Sequence, residues 1–368
     1  MAIAALRAAI VLLLNFLTIL SIVAQSRQTT LQLPSPDGCH AVGTTTVVLK
    51  DVSRQRDLVV TFWYPSLHGS VAAPYMDKRT AAALAEDWTI ETNFVDRVRT
   101  NASLGATIED GPFPLVLLEH GSGVVPAIYT VLAEGLASHG FIVAATNHPL
   151  DSLIAVFPDG HEVRSQPYWP VNADRRTQGV AIGRFAEDVL VADVRFVLDQ
   201  LQDMNSRDAF WRGHIDTSKI GIVGHSMGGT TAALATKEER RISAGINLDG
   251  STFPGMNDDI RPVELNKPLL FIATEEHASD PGSRAREYSG SESNTYYVTV
   301  PRSDHLSFTD KRLVQSRFLT ESQVNSISWV RALLALEVTR SLVDEFFGKY
   351  LKGNSAPSLD LPIHVVQK

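Results

Sequence analysis

Short apolar runs alternate with longer segments of helical periodicity from residue 113 onward. Six of these runs are apolar at nearly every position: 114–118, 141–145, 220–223, 242–248, 269–273 and 296–300. Continuously apolar strands are typical of parallel sheets whose two faces are both covered. Helices are predicted between them at 127–138, 184–201 and 227–236. This alternation predicts an α/β fold with one doubly wound, mostly parallel central sheet and helices on both faces.

Both ends of the predicted domain carry further patterned segments. Residues 44–49 and 58–64 are rich in Val, Thr and aromatic residues, which predicts a pair of strands. Near the C-terminus, apolar residues recur at spacings of three and four, which predicts a helix with one buried stripe. That stripe consists of Ile327, Val330, Leu334, Val338, Leu342 and Phe346. Residues 66–112 are more polar and are interpreted as an insertion.

Length, composition and charge exclude several classes of protein. The chain has 368 residues, 44% apolar and 20% charged, so extensive disorder is excluded. We expect one domain at 40–350, behind a polar leader at 25–39 and before a tail at 351–368. The net charge is −8 with no basic run, which excludes a nucleic-acid surface. The single cysteine, Cys39, excludes an intrachain disulfide and a thiolate metal cluster; neither a metal nor a cofactor is expected.

The N-terminal segment resembles an export signal. Arg7 is the only charge before an apolar run at 8–24 that ends in a small residue, which predicts a secretory signal cleaved near Ala24. An uncleaved membrane anchor is the alternative, because the run has the minimum length of a membrane span. A secreted protein would also have a use for its single glycosylation sequon, at Asn101.

The sharpest local motif is the sequence Val-Gly-His-Ser-Met-Gly-Gly at 223–229. It follows a predicted strand and precedes a predicted helix, the context in which G-x-S-x-G forms a nucleophile elbow. The tight turn requires small residues and exposes the serine hydroxyl at the end of the strand. Ser226 is therefore the candidate nucleophile, with a glycine-rich structural turn as the alternative.

A serine hydroxyl needs a base to remove its proton. In the hydrolase order Ser, then Asp or Glu, then His, the base follows the last strand. His305 fits this position, directly after the run at 296–300. Of the other histidines beyond Ser226, His277 follows an earlier strand and His364 lies in the tail.

The carboxylate that orients the base has several candidates. Asp249 ends the run at 242–248, at the strand end where ligand crevices form in α/β sheets. Glu275, Glu276 and Asp280 follow the next strand and are equally possible by order alone. Asp249 is favoured, with an Asp-Gly turn as its structural alternative.

The negative charge that develops on an ester oxygen needs two backbone N–H donors. Met227, directly after the nucleophile, should supply one. The loop at 119–123 follows the strand at 114–118 and contains two glycines that allow a close approach to a substrate. Ser122 is expected to supply the second N–H.

Several further residues are candidates for the substrate pocket. His120 and His225 adjoin the expected oxyanion donors and nucleophile. His148 follows the strand at 141–145 and is placed near the pocket mouth or in a packing role. Trp169 and Tyr168 are expected to line an acyl site or to cover the core.

Extended stretches of the chain resemble the secreted-type platelet-activating factor acetylhydrolases. The similar stretches are 118–123, 136–145, 224–229, Asp51-Val52-Ser53-Arg54 before a strand ending Trp63-Tyr64-Pro65, and an aspartate just over twenty residues after the serine. The resemblance implies an α/β-hydrolase fold and a cofactor-independent serine esterase for short acyl esters, with Ser226, Asp249 and His305 as the triad. The Gly-His-Ser-Met-Gly-Gly form is also similar to cutinase-like polyester hydrolases. The segments 66–112 and 149–182 differ from the animal enzymes and are expected to shape the acyl pocket.

Three functions remain open at this point. The first is hydrolysis of a small-molecule or lipid ester. The second keeps the same site but transfers the acyl group or processes a lactone in a small-molecule pathway. The third is an inactive hydrolase fold that serves as a binding module.

The N-terminal interpretation makes a direct prediction. If the segment is a cleaved signal, amino-terminal sequencing of secreted material should begin near Gln25, because the apolar run ends there. A sequence that starts within residues 1–20 would contradict cleavage, and the protein should then sediment with membranes.

Overall fold

The computed structural model describes residues 30–251, 267–279, 295–319, 329–354 and 365–367. The expected signal segment at 1–24, Asp280, Ile327 and His364 lie outside these residues, as do parts of the leader and the tail. Within the described residues, strands and helices alternate as the apolar pattern predicts.

The described strands form one large sheet and two short pairs. They are β1 Leu31–Gln32, β2 Ala41–Asp51, β3 Arg56–Ser66, β4 Val98–Arg99, β5 Ser103–Leu104, β6 Phe113–Glu119, β7 Ile142–Asn147, β8 Ile154–Val156, β9 Glu162–Arg164, β10 Ile215–His225, β11 Ile242–Leu248, β12 Leu269–Thr274, β13 Thr295–Val300 and β14 Val365–Gln367. The order in the large sheet is β14-β13-β12-β11-β10-β6-β7-β3-β2-β5. Neighbours from β13 to β7 are parallel, whereas β3 is antiparallel to both β7 and β2, and β14 is antiparallel to β13.

Helices cover both faces of this sheet. They are α1 Lys78–Trp88, α2 Thr130–Ser138, α3 Arg175–Phe185, α4 Val191–Arg207, α5 Met227–Glu238, α6 Glu275–Ser279, α7 Lys311–Phe318 and α8 Trp329–Lys352. Helices α2 and α8 share one apolar cluster with the sheet, and α4 and α5 share the other. In β6, Val116 and Leu118 belong to the first cluster and Leu115 and Leu117 to the second. Both faces of the central strands are therefore buried, which is why these strands are continuously apolar.

The helix predicted at 184–201 begins earlier than expected. Helix α3 starts at Arg175 and continues through a π-helical turn at Ala186–Leu190 into α4. Asp174 caps the start, since its side chain accepts a hydrogen bond from the Thr177 N–H at 3.0 Å. Gly179 and Gly183 lower the intrinsic helix propensity of this stretch and hid it in the sequence.

The two segments expected as insertions contain regular structure. Residues 66–112 hold α1, a 3₁₀ turn at Thr92–Arg97 and the short strands β4 and β5. Residues 149–182 hold the β8 and β9 hairpin and the first part of α3.

A largely buried charge cluster lies where the turn between β2 and β3 meets the end of β6 and helix α4. Its members are Asp51, Arg54, Arg56, Glu119, His148 and Asp193. Arg54 Nη1 lies 2.8 Å and Arg56 Nε 2.9 Å from Asp193 Oδ1. The spacing of Asp188 and Asp193 predicts a solvated or salt-bridged face; Asp188 is exposed, whereas Asp193 is buried with its ion pairs.

His148 carries a positive charge in this cluster. Its Nε2 lies 2.5 Å from Glu119 Oε2 and its Nδ1 lies 2.8 Å from Asp193 Oδ2. Ionised carboxylates only accept hydrogen bonds, so both ring nitrogens must donate. Burial by itself lowers the pKa of His148, but the charge of Glu119 and the hydrogen bonds to Asp193 and Glu119 raise it to about 9. With His148 protonated, three cations in the cluster balance three anions.

We expect His148→Gln to lower the free energy of unfolding by about 3–5 kcal/mol near pH 6, because two buried carboxylates lose their cationic partner. The pKa of His148 is about 9 in the folded chain against an ordinary 6.5. Its contribution is therefore complete below about pH 6.5 and is lost as the pH rises through 9. Urea denaturation between about pH 6 and 9 should show this loss in the wild type and not in the variant.

His161→Gln is the matched control, because the His161 imidazole is exposed. It should unfold within about 0.5 kcal/mol of the wild type. A His148→Gln protein that loses stability with pH as steeply as the wild type would show that another group titrates.

Candidate active site

Ser226 lies at a sharp turn between β10 and α5. Its φ and ψ are 57° and −117°, a conformation that L-residues seldom adopt. The turn forms only because its neighbours have no side chain. A Cβ on Gly224 would lie 2.0 Å from the Gly228 carbonyl oxygen, and a Cβ on Gly228 would lie 2.1 Å from that of Glu119. The expected nucleophile elbow is therefore present in its geometry.

The structure brings Ser226, His305 and Asp249 into one hydrogen-bonded line. His305 Nε2 lies 2.9 Å from Ser226 Oγ, and His305 Nδ1 lies 2.7 Å from Asp249 Oδ2. His305 begins a 3₁₀ turn at His305–Phe308, where Asp304 and Ser307 form a capping box. With Nδ1–H donating to the carboxylate, Nε2 is left to accept the serine proton.

Asp249 remains ionised at this position. Its Oδ1 accepts hydrogen bonds from the Thr274 N–H at 2.8 Å and the Thr274 hydroxyl at 3.2 Å, and His277 Nδ1 lies 3.3 Å away. Burial opposes ionisation, but hydrogen bonds from His277, His305 and the Thr274 N–H hold the pKa of Asp249 well below its ordinary value. The carboxylate is thus a fixed anion beside His305.

The rival carboxylates are placed differently. Glu275 and Glu276 are exposed in the short helix α6. Glu275 Oε2 accepts a hydrogen bond from the Arg302 N–H at 3.2 Å, and Glu276 lies on the cavity wall. Asp280 lies outside the described residues.

The loop after β6 reaches the nucleophile. A Cβ built on Gly121 would lie 3.1 Å from the Ser226 Cβ. The next residue, Ser122, lines the cavity beside Ser226. The Gly121 carbonyl is held by His120 Nδ1 at 2.7 Å, and the Gly121 N–H donates to the Tyr129 hydroxyl at 3.0 Å. Met227 is the first residue of α5, and a first helical N–H has no acceptor within its own helix.

A cavity of about 560 Å³ opens over these residues. Its lining includes the apolar and aromatic side chains of Tyr168, Trp169, Ile182 and Met227 and the polar side chains of Ser251, Thr274, Glu276 and His277. Tyr168 stacks on Phe185 with ring centroids 3.8 Å apart, and the Trp169 ring meets Tyr168 edge-on at 4.7 Å. The Tyr168 hydroxyl donates to Ser122 Oγ at 3.2 Å. Trp169 is thus one of the residues that line the cavity.

The three other histidines expected at the pocket are buried behind it and do not line it. His148 belongs to the charge cluster. His120 donates from Nδ1 to the Gly121 carbonyl, and its Nε2 accepts from the His148 N–H at 3.1 Å. His225 contacts the Tyr129 hydroxyl and the His305 carbonyl. Each of these buried rings is hydrogen-bonded to polar partners, as buried polar groups require.

Two of these rings are uncharged. Burial, together with the neighbouring His148 cation, lowers the pKa of His120 to about 3. Burial likewise lowers the pKa of His225 to about 3, with a contribution from His305. Each ring therefore has one N–H donor and one acceptor nitrogen.

The structure argues against the expected glycosylation at Asn101. Its Nδ2 donates to the Pro34 carbonyl at 3.0 Å and to Glu134 Oε2 at 2.8 Å. Both hydrogens of the amide are thus used inside the protein, and Glu134 is buried. A glycan on Nδ2 would remove one of these bonds.

Two functional candidates did not emerge from the sequence. His277 contacts Asp249 as well as the cavity, and Tyr129 contacts both Gly121, in the expected oxyanion loop at 119–123, and His225, in the turn before Ser226. His277 follows β12 by three residues, and the carboxyl end of β12 lies beside that of β11. The position of His277 after a strand adjacent to β11 is the sequence feature that could have identified it as a site residue.

In the described part of the chain, no group of three or more His, Cys, Asp or Glu side chains is arranged to hold a metal ion. None of the helices in those residues is both long and apolar enough to cross a bilayer.

The chain is similar to proteins that are named as ester hydrolases. It is 28% identical to the platelet-activating factor acetylhydrolase of Cavia porcellus over 69% of this chain and 61% of that protein. It is 24% identical to the Gallus gallus protein of the same name, over 78% of this chain and 76% of that one. The chain thus spans about three fifths of the length of the Cavia porcellus relative.

A solved ferulic acid esterase from Streptomyces cinnamoneus is 32% identical, with a TM-score of 0.75 over 91% of this chain and 98% of that one. The α/β-hydrolase fold expected from the sequence is confirmed. The family model described as "Platelet-activating factor acetylhydrolase, isoform II" matches residues 24–168 and 181–354, which is most of the chain. The chain therefore belongs to the isoform II family of platelet-activating factor acetylhydrolases.

Proposed function

We propose that the protein is a serine carboxylic ester hydrolase that acts through an acyl-enzyme intermediate. The observation that carries this proposal is the hydrogen-bonded line of Ser226, His305 and Asp249 at the wall of an open cavity. The names of the relatives support ester hydrolysis as the reaction class.

In the proposed reaction, His305 Nε2 takes the proton of Ser226 as Oγ attacks the ester carbonyl carbon. The N–H groups of Met227 and Ser122 stabilise the oxyanion that forms. His305 then gives its proton to the departing alcohol, and the acyl group stays on Oγ. Water, activated by His305 in turn, attacks the acyl-enzyme and releases the acid. Asp249 stabilises the imidazolium at both stages.

Hydrolysis is favoured over acyl transfer by the exposure of the base. The His305 side chain is 48% exposed, so water reaches the position from which it attacks the acyl-enzyme. An inactive binding module is disfavoured, because the three side chains are present and connected.

We propose short-acyl esters as substrates, including the acetyl ester of a phospholipid. The apolar lining residues Tyr168, Trp169 and Ile182 suit the apolar part of an ester, and the polar lining residues suit a hydrated alcohol group. The names of the Cavia porcellus and Gallus gallus relatives support an acetyl group. The proposed chemistry needs no cofactor.

Esters of aromatic acids are a second candidate substrate class. The stacked rings of Tyr168 and Phe185, with Trp169 edge-on, present an aromatic surface beside Ser122. Flat aromatic acyl groups bind such surfaces by offset or edge-to-face contacts. The name of the Streptomyces cinnamoneus structure supports this class.

We also propose that the protein is secreted after cleavage near Ala24. The apolar run at 8–24 supports this, and an uncleaved anchor is the alternative.

The nucleophile is tested with a fluorophosphonate probe and an ester panel. We expect the wild type to be labelled and to hydrolyse nitrophenyl esters, with rates that fall from acetate to palmitate. An acetylated phospholipid and methyl ferulate in the same panel distinguish the two substrate classes. Ser226→Ala should lose both labelling and hydrolysis, because it removes the hydroxyl that lies 2.9 Å from His305 Nε2. Unchanged labelling of this variant would refute the assignment.

The triad acid is tested by replacing single carboxylates with amides. Asp249→Asn should reduce kcat by at least roughly 10²-fold with little change in Tm, because the amide favours the wrong tautomer of His305. Glu275→Gln and Glu276→Gln should each stay within about tenfold of the wild type, which is about 1.4 kcal/mol in barrier height. Loss of activity in one of these two, with Asp249→Asn active, would move the acid to the end of β12.

A further inference from the structure

A buried chain of hydrogen bonds joins three separate parts of the site. The Gly121 N–H, in the oxyanion loop, donates to the Tyr129 hydroxyl at 3.0 Å. The Tyr129 hydroxyl lies 2.9 Å from His225 Nδ1, and His225 Nε2 lies 2.7 Å from the His305 carbonyl oxygen. The side chains of Tyr129 and His225 are almost completely buried. Neither residue lines the cavity.

The direction of every bond in this chain is determined by chemistry. A carbonyl oxygen only accepts, so the hydrogen of the His225 ring must be on Nε2. An uncharged imidazole has one N–H, so its Nδ1 accepts from the Tyr129 hydroxyl. The Tyr129 oxygen then accepts from the Gly121 N–H. The low pKa of His225 agrees with this arrangement, because a second ring hydrogen would displace the tyrosine proton.

The chain connects elements that sequence separates widely. Tyr129 ends the 3₁₀ turn Pro126–Tyr129 before α2, His225 ends β10 directly before Ser226, and His305 follows β13. Each bond therefore sets the position of one part of the site relative to another. Both backbone polar groups of Gly121 are held, because its N–H donates to Tyr129 and its carbonyl accepts from His120 Nδ1.

We propose that Tyr129 and His225 are positioning residues that fix the oxyanion loop and the backbone of His305 relative to the nucleophile. The proposal rests on the proposed function, since it assigns these residues a part in the same reaction. Their effect falls on the transition state, where the oxyanion and the imidazolium both form. A purely structural role would change stability and leave the chemistry of the folded protein intact.

Tyr129→Phe is the first test, because it keeps the ring and removes the hydroxyl. Displacing a catalytic group by about 1 Å costs about 10²-fold, and we expect kcat to fall by roughly 10- to 100-fold with KM within about threefold. Inhibition by a trifluoromethyl ketone, which forms an oxyanion on Ser226, should weaken in parallel with kcat/KM. Binding of the product carboxylic acid should change little, because it forms no tetrahedral oxyanion.

Tyr64→Phe is the matched control. Tyr64 is also fully buried, and its hydroxyl donates to the Ala106 carbonyl at 2.9 Å, away from the site. This variant should lower Tm and leave kcat and ketone inhibition unchanged. Comparing the two variants separates the general effect of losing a buried tyrosine hydroxyl from the specific effect of losing the Tyr129 hydroxyl in the site.

His225 supplies a second, independent test with a rescue variant. In His225→Gln the amide can donate to the His305 carbonyl and accept from Tyr129, whereas the side chain of His225→Leu can do neither. We expect the Gln variant to stay within about tenfold of wild-type kcat and the Leu variant to lose roughly 100-fold. Because the residues act through one chain, combining Tyr129→Phe with His225→Leu should cost little more than His225→Leu alone.

The outcomes separate this proposal from the proposed function. A wild-type protein that neither reacts with fluorophosphonate nor hydrolyses any ester would refute the function itself. If the wild type reacts and Tyr129→Phe reacts at the same rate, with unchanged ketone inhibition, the positioning role is wrong. If Tyr129→Phe does not fold, equal kcat in the folded Gln and Leu variants of His225 refutes it instead.

Discussion

The contact between the end of β6 and the first turn of α5 determines where the parts of the site can lie. The Glu119 carbonyl approaches Gly228 so closely that a Cβ there would overlap it at 2.1 Å. This approach places the loop after β6 against the turn at Ser226. As a result, Gly121 lies so close to Ser226 that a Cβ built on Gly121 would be 3.1 Å from the Ser226 Cβ. A side chain at residue 228 would push the loop at 119–123 away from Ser226.

Histidines in this structure differ in charge because their partners differ in chemistry. His148 lies between two carboxylates, which accept only, and so it is a cation. His225 lies between a hydroxyl and a carbonyl, and one donor with one acceptor makes an uncharged ring. His305 lies between a carboxylate, to which its Nδ1–H donates, and a serine hydroxyl, which its Nε2 faces. Burial alone would have made both His148 and His225 uncharged, because it lowers the pKa of each ring.

The sequence predicts the central sheet well, and it places Ser226, Asp249 and His305 after strands of that sheet, because both depend on order along the chain. Continuously apolar runs identify the central strands, and the ends of those strands carry Ser226, Asp249 and His305. Order could not choose between Asp249 and the carboxylates after β12, since both strands end at the same edge of the sheet. The observed contact of Asp249 with His305 depends on tertiary packing.

What the sequence missed has two physical causes. The position of a side chain at a strand end depends on its buried polar partners, which the sequence does not show. His120 and His225 were therefore expected in the pocket, whereas both are buried with such partners and do not line the cavity. Contacts between distant residues, such as Tyr129 with His225, arise only when the layers pack. The start of α3 was missed for a local reason, because two glycines conceal a helix that Asp174 caps.

The buried charge cluster matters because it orients neighbouring groups, and a gain in stability does not explain it. Apolar side chains of the same volume would fill this space at no greater free-energy cost than six charges removed from water. They could not, however, hold the backbone of His148 where its N–H donates to His120 Nε2. That bond leaves Nδ1–H of His120 for the Gly121 carbonyl. Because the peptide group is planar and trans, a fixed Gly121 carbonyl directs the Ser122 N–H to the opposite side. The charges at the end of β6 therefore act on the site by fixing the orientation of a single amide.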